Sequence, residues 1–255
     1  MLTFARIRSR HPTHRVLRRN PALRFKVPVV IRLGSTTAVS LKGGVQLNTV
    51  ESIRNCSDKM KMKNIFRANK VTSARYWTLD EMQKEKKPPF PLVKKIRFRS
   101  RGHGMVFIEN QKALDEQLRK NAGNSNVYFE ECFNGSKEYR LHVSDLGCFY
   151  TCRKVRRADA KERWFFNSSN CNWLLETNPQ FDKPKTWKNI VSECQKGLKA
   201  LGLDFAAFDV RVKKDGSFIL LEANSAPSFG DDPRKAVVTR KYLEHIPLIV
   251  KNKIR

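Results

Sequence analysis

Acidic residues are scarce in this sequence. Its 255 residues hold 24 Asp and Glu against 51 Lys and Arg, a formal charge of +27. Solubility needs far less, so the imbalance implies attraction to a polyanion: nucleic acid, nucleotide phosphates or an acidic protein tail. A solvated basic surface with no specific partner is the bland alternative. Long apolar runs are missing too. Nothing approaches the roughly 18–20 apolar residues that cross a bilayer, and the basic N-terminus is not followed by the apolar core of a signal peptide, so no membrane partner is expected. The six cysteines fall at scattered spacings. Cys148 and Cys152 have no second pair and no histidine pair beside them, a poor zinc signature. Free thiols in a reducing cytoplasm are the expectation. Internal repeats are absent.

What is present reads as short strands mixed with helices. Residues 1–27 carry eight Lys/Arg and no acid, with Pro12 and Pro21 against any long helix; they read as a basic arm ordered only in part. "VPVVIRLG" (27–34) is a short buried strand ending at a glycine, and 49–69 has helical spacing around Ile53, Met60, Ile65 and Phe66. "FPLVKKIRF" (90–98) and the segment after "RSRGHG" predict a hairpin, and 111–121 a short amphipathic helix. Strands follow over 126–133 and 137–155, then a polar irregular stretch over 156–184. Residues 186–203 are the clearest helix, stopped by Gly202. Residues 205–224 form a hairpin about a Lys-Asp-Gly turn, and a basic helix is expected near 233–245. Antiparallel strands mixed with helices argue for an α+β fold rather than a doubly wound parallel sheet.

The chemistry gathers where the apolar strand "FILLEAN" (218–224) runs out. Residues two apart share a strand face, so Glu222 and Asn224 point the same way, and Asp209 can sit opposite them if the turn sets that register. Two carboxylates and an amide oxygen suit Mg²⁺, which takes one or two carboxylates and completes its shell with water and phosphates; a wet hairpin face is the equal alternative. Lys59 and Lys63 lie one helical turn apart. Lys94 and Lys95 point to opposite faces of a strand, where a lysine is costly unless it meets an anion. "SRGHG" (100–104) adds glycines whose N–H groups can cradle phosphate.

In this order the segments resemble the ATP-grasp superfamily, over about residues 28–230. "DKMKMK" resembles its Asp-Lys-x-x-x-Lys segment and "PLVKK" its Pro-x-x-x-Lys strand. The resemblance implies that Lys63 and Lys95 hold ATP phosphates, with Lys94 as second choice for the latter. "EECFNG" is similar to the segment joining the two subdomains, which implies adenine contacts at Glu130, Glu131, Cys132 and Phe133. Glu138 in "KEYR" matches the acid that holds the ribose. "LEANSAP" is close to the terminal Glu-x-Asn-x-x-Pro motif, the most specific of the matches, and Asp209 stands thirteen positions before Glu222. That implies Mg²⁺ or Mn²⁺ on Asp209, Glu222 and Asn224. The order is most similar to ATP-grasp proteins often carried by bacteriophages, for which a host cytoplasm would be the location.

The resemblance implies two α+β subdomains gripping ATP. It divides the chain into a basic arm (1–27), a truncated pre-ATP-grasp element (28–62), an N-terminal subdomain (63–127) and a C-terminal subdomain (128–255). It also implies ligation: ATP turns a carboxylate into an acyl phosphate, and an amine or similar nucleophile displaces the phosphate. Ser100, Gly102, His103 and Gly104 would form a lid, His103 being either a phosphate contact or an exposed loop residue. The basic segment 153–163 would hold the acyl phosphate or an acidic acceptor, or be a solvated loop. Three departures stand out. Only 62 residues precede Lys63. Ala207 occupies the place of the arginine that steadies the tetrahedral intermediate in dipeptide-forming ligases, leaving Arg140, Arg153 and Arg211 as open replacements. And "APSFGDD" lacks the glycine common after the proline. A nucleic-acid-binding module on a degenerate ATP-grasp scaffold and a kinase-like phosphotransferase are the competing readings.

Overall fold

The computed structural model describes residues 1–9, 17–99, 102–160, 164–166, 170–227 and 234–254. Near the N-terminus, strands β1 (Thr3–Phe4) and β3 (Arg24–Phe25) pair antiparallel. Strands β2 (Arg6–Arg8), β4 (Val29–Arg32) and β5 (Val45–Leu47) form a parallel sheet in the order β2-β4-β5. Most of the stretch read as a basic arm is thus folded onto the body, because its few apolar residues are used: Ala5, Ile7, Leu17 and Leu23 are buried. Residues 10–16 of that stretch lie outside the described residues. A parallel element was not expected from the sequence.

The helical spacing over 49–69 resolves into two helices, α1 (Val50–Ser57) and α2 (Lys59–Ala68). Asp58 breaks them. Its backbone is extended, and its carboxylate accepts from the N–H groups of Met60 and Lys61, capping α2. Strands β6 (Tyr76–Thr78), β7 (Leu92–Ile96), β8 (Val106–Ile108) and β9 (Val127–Glu131) make an antiparallel sheet ordered β6-β9-β7-β8. Helices α3 (Leu79–Lys84) and α4 (Gln111–Lys120) accompany it, and Leu79, Met82 and Leu114 bury themselves with Leu92, Ile108 and Phe129.

The largest sheet, β12-β11-β10-β13-β14, is antiparallel throughout. It contains β10 (Lys137–Ser144), β11 (Gly147–Arg156), β12 (Cys171–Leu175), β13 (Phe205–Val212) and β14 (Phe218–Asn224). β12 lies in the stretch predicted irregular; its Trp173 and Leu174 take strand positions against β11. One face of this sheet carries Tyr139, Leu141, Val143, Phe208 and Val210, which pack on Ile190, Cys194 and Leu198 of α5 (Trp187–Leu201) and Phe66 of α2. Gly202, left-handed at φ 71°, ends α5 as its sequence predicts. The last helix, α6 (Arg234–Ile254), is longer than expected and runs through Pro247. Its Val238, Tyr242, Ile246, Ile249 and Val250 share a core with Leu17, Leu23, Val29 and Ile31. None of the six cysteines forms a disulfide. Among the described residues no helix is long and apolar enough to cross a membrane.

Where α6 covers the large sheet, His142 is 2% exposed, its Nδ1 2.9 Å from the Tyr242 hydroxyl. Burial, reinforced by the charge of Arg140, pushes its pKa from 6.5 down to about 3. The native imidazole stays neutral while the unfolded one takes a proton below pH 6.5. Its contribution is therefore complete above pH 6.5 and is lost as pH falls toward 3, by up to about 1.4 kcal/mol per pH unit. Urea unfolding should show stability declining from pH 6.5 to 5, and His142→Gln should flatten that decline. His245, shifted the same way, leaves a residual slope.

Candidate active site

The face of the large sheet opposite α5 alternates charge where the other face alternates core. Arg140 of β10 lies opposite Asp209 of β13, Glu138 opposite Arg211, and Lys154 of β11 opposite Glu138. On β14, Glu222 faces Asp209 and Asn224 faces Ala207. This last pairing depends on a bulge. The register shifts between Asp209 and Val210, so that Val210 pairs with Leu220 and Leu221 is the extra residue. Without the shift, alternation would put Leu220 and Glu222 on one face. With it, Leu220 and Ala223 enter the α5 core while Glu222 and Asn224 turn to the charged face.

Asp209 is 4% exposed and is held by both forks of Arg140, Nε to Oδ1 at 2.7 Å and Nη2 to Oδ2 at 2.8 Å, with Lys154 Nζ at 3.2 Å from Oδ2. These three donors leave a lone pair on Oδ1 open. Lys59 Nζ donates to Glu222 Oε2 at 2.9 Å, and the Asn224 amide donates to Glu222 Oε1 at 3.4 Å, leaving its own carbonyl oxygen unused by Glu222. Burial works to raise the Asp209 carboxyl, but Arg140 and Lys154 outweigh it and hold it well below the usual range. Glu222 follows the same balance, with burial against Lys59, and ends lowered. Both are carboxylates at neutral pH.

A second cluster stands across from the first. Glu130 of β9 is 2% exposed, with Lys63 Nζ 3.3 Å from Oε1 and Lys95 Nζ 2.6 Å from Oε2. Lys63, 1% exposed, makes no hydrogen bond among the described residues. Burial and the like charge of Lys95 lower its pKa, against the pull of Glu130. The two clusters share a field, since Lys59 also feels Glu130 and Lys63 feels Glu222. Arg97 binds Asp58 through both forks, fixing the start of α2 against β7. Six cations, Lys59, Lys63, Lys95, Arg140, Lys154 and Arg211, thus meet four carboxylates, Glu130, Glu138, Asp209 and Glu222.

Several expected positions move. Lys95 turns to the site, and Lys94 turns to the opposite face, where burial and Lys120 depress its ammonium. Glu130, expected at an adenine, is the shared counter-ion of Lys63 and Lys95. Glu138, expected at a ribose, is bound by Lys154 and by Arg211 Nη2 at 2.7 Å. The Glu131 and Cys132 N–H groups are taken by the carbonyls of Arg75 and Pro91, and the Phe133 carbonyl accepts from Arg211. Arg153 leaves the site: strand alternation puts it on the other face, paired with Asp182. Arg140 and Arg211 remain. Gly102 and Gly104, at φ 77° and 74°, bracket an exposed His103 between β7 and β8. Ser100 lies outside the described residues. Phe107 of β8 stacks on Trp164 at 5.4 Å, so the hairpin touches the 164–166 segment.

Sequence reasoning noted Lys59 only for its spacing from Lys63 and Lys154 only within the basic segment 153–163, and it gave no role to Trp173, whose ring lies 5.1 Å from the Arg140 guanidinium carbon and 5.3 Å from Lys154 Nζ. The period-two spacing of Glu138 and Arg140 signals the charged face, and Lys154 enters through its register with Glu138.

No protein-family model matches the sequence. Among solved structures, the chain is similar to the VanG D-Ala:D-Ser ligase from Enterococcus faecalis, with a TM-score of 0.65 and 18% identity over 89% of this chain and 74% of that one. It is similar to the D-alanine–D-alanine ligase from Bacillus anthracis at 0.60 and 18%, over 82% and 71%. The ATP-grasp ligase PsnB, complexed with a minimal precursor, matches at 0.56 and 15%, over 78% of this chain and 64% of its own. The chain has the ATP-grasp fold. It spans less than two thirds of the PsnB chain in the complex with the minimal precursor, and 80% of the PsnB chain in the complex with a phosphomimetic precursor, Mg and ADP. Structures of the Bacillus anthracis enzyme complexed with ATP, and of PsnB with a phosphomimetic precursor, Mg and ADP, belong to the same set.

Within this ATP-grasp fold the Arg140–Asp209 pair is buried, so removing one partner strands a charge. Arg140→Met should cost about 3 kcal/mol, the low end for a broken buried pair because Lys154 still faces Asp209. A double-mutant cycle with Asp209→Asn, followed by urea unfolding, should recover part of that loss.

Proposed function

We propose that this protein is an ATP-dependent ligase that activates a carboxylate and joins it to an amine or similar nucleophile. The observation that carries the reading is the facing of two built clusters, Lys63–Glu130–Lys95 and Arg140–Asp209–Glu222, within an ATP-grasp fold. A net excess of buried cations has no use in a hydrophobic core, but it matches a polyphosphate.

Among the described residues no three His, Cys, Asp or Glu gather as a metal site. The donor set instead fits Mg²⁺ or Mn²⁺ held with a nucleotide: Asp209 Oδ1, the Glu222 carboxylate and the Asn224 carbonyl. Such an ion, when bound, would neutralise and orient the phosphates. Lys63 and Lys95 would exchange part of their hold on Glu130 for phosphate oxygens. An oxygen of the substrate carboxylate attacks the γ-phosphorus and ADP leaves; the amine then attacks the acyl carbon and phosphate leaves. Arg140 and Lys154 stand beside this centre to offset charge on the oxygens, and their contact with Trp173 fixes their direction. The loop at Gly102–Gly104 would cover the nucleotide and exclude water from the acyl phosphate. The formal charge of +27 supports an acidic or polyanionic substrate, and a steep loss of affinity with salt would mark nucleic acid.

Glu222→Gln and Asp209→Asn should abolish Mg-dependent ATP turnover while circular dichroism reports an intact fold. Undiminished ATP consumption by either variant would sink the assignment. Lys95→Ala should weaken nucleotide binding about ten- to hundredfold by calorimetry, the worth of one contact to a charged group. Product masses separate the alternatives: free phosphate with a joined product marks a ligase, a phosphorylated acceptor marks a kinase.

A further inference from the structure

The parallel sheet β2-β4-β5 holds a feature its core does not need. Arg8 ends β2 and Arg32 ends β4, and the two are direct partners in the ladder. They lie on the face opposite Ile7, Ile31 and Leu47, which are core residues. Arg32 is 1% exposed. Its Nη1 donates to Gln46 Oε1 at 2.7 Å and its Nη2 to the Thr37 carbonyl at 3.3 Å. The Nε atoms of both Arg8 and Arg32 are buried and make no hydrogen bond among the described residues. Neither arginine has an ion-pair partner there. Asp204 is taken by the Asn48 N–H and by Lys253.

This arrangement is costly as pure structure. Like charges side by side in a ladder repel, and burial together with Arg8 depresses the Arg32 pKa. A buried charge without a counter-charge is one a well-packed apolar side chain would replace at a gain. The position is also where ligands meet sheets, just beyond the carboxyl ends of parallel strands. The chain leaves β4 through Gly34 at φ 70°, where an added Cβ would come 2.7 Å from Ala226 Cβ. Ala226 lies two residues past Asn224. The ends of β2 and β4 therefore open beside the segment that follows the candidate metal ligands, under the hydroxyls of Ser35 and Thr37, which bond one another at 3.2 Å.

We propose that Arg8 and Arg32 form the binding site for the carboxylate group of the substrate, a proposal that rests on the ligase reading for its place in the reaction. Strands lie about 4.8 Å apart, so neighbouring guanidiniums can each present an Nε–H and a remaining Nη–H to one oxygen of a planar carboxylate. Arginine forks suit such an anion where a lysine would not. The Gly34–Thr37 loop, held to Arg32 only through the Thr37 carbonyl, is the side from which the anion enters.

The test is thermal unfolding of the full chain at constant ionic strength in sodium chloride, acetate, glutamate and phosphate. Acetate and glutamate should raise Tm above the chloride value, by mass action on the folded state, and any phosphate rise, supplied by the nucleotide clusters, should persist in Arg8→Met. Arg8→Met, Arg32→Met and Arg32→Lys should each lose the rise. Arg32→Met should itself unfold no lower than the parent protein, and it should still bind Mg-ATP in a calorimeter. The proposal is overturned if carboxylates give no rise beyond chloride, or if the rise survives in the Arg8→Met/Arg32→Met double variant. A phosphate rise that equals the carboxylate rise and is lost with it in Arg8→Met overturns the carboxylate assignment, and a large drop in Tm for Arg32→Met would make the residue structural. A carboxylate rise in a protein that binds no Mg-ATP would remove the ligase reading and leave the anion site standing.

Discussion

The Asp209 carboxylate, 4% exposed, stands opposite Arg140 on one neighbouring strand and Glu222 on the other. That three-strand register is the constraint on which the charged face depends. It links the sheet's centre to its edge, and the bulge beside Asp209 keeps Leu220 in the core while turning Glu222 outward. A single-residue slip would exchange these faces and bury an acid against α5. The α5 core of Phe208, Val210 and Leu220 therefore does more than stabilise the sheet. By refusing any other register it fixes which oxygens converge.

The same logic extends to the smaller sheet, where Glu130 neutralises Lys63 from α2 and Lys95 from β7 at once. Neither lysine would tolerate its burial without that acid. The acid in turn fixes where a helix and a strand of different parts of the chain meet. Asp58 adds a second tie by capping α2 with one oxygen and engaging Arg97 of the β7 end with both. Positive charge is thus matched in advance by protein carboxylates, and under the proposed function an incoming polyphosphate would exchange partners rather than create charge in an apolar interior.

Much of the fold was legible because its elements follow simple periods. The alternation at Tyr139, Leu141 and Val143, the helical face of Ile190, Cys194 and Leu198, and the Lys-Asp-Gly turn each point one way. β12 was missed because Cys171–Leu175 is flanked by polar residues and takes its strand form from β11, not from its own pattern. Of the N-terminal parallel sheet only β4 was read, within 27–34. The three-residue strands β2 and β5, set among basic and irregular stretches, carry no period long enough to read, and Leu17 and Leu23 share their core with α6, more than two hundred residues later. At the site, residue types and spacing brought Asp209, Glu222, Lys63 and Lys95 forward. Which face Arg153 takes, and which acid neutralises which lysine, are matters of register and tertiary packing that a linear chain does not display.

The contact of α6 with the first strands has a consequence for how the chain comes to be folded. Leu17, Leu23, Val29 and Ile31 share a core with Val238, Tyr242, Ile246, Ile249 and Val250 of α6, and with Tyr150, Cys152 and Phe205 of the large sheet. During synthesis the strands of all the sheets are made before α6, so the parallel sheet keeps part of its apolar face open until α6 joins it. A nascent chain stalled before that helix would hold its charged clusters with the Arg8–Arg32 sheet only partly covered. The cores on the two sides of the large sheet are therefore completed at different times, and the one shared with the parallel sheet is filled only after α6 has been made.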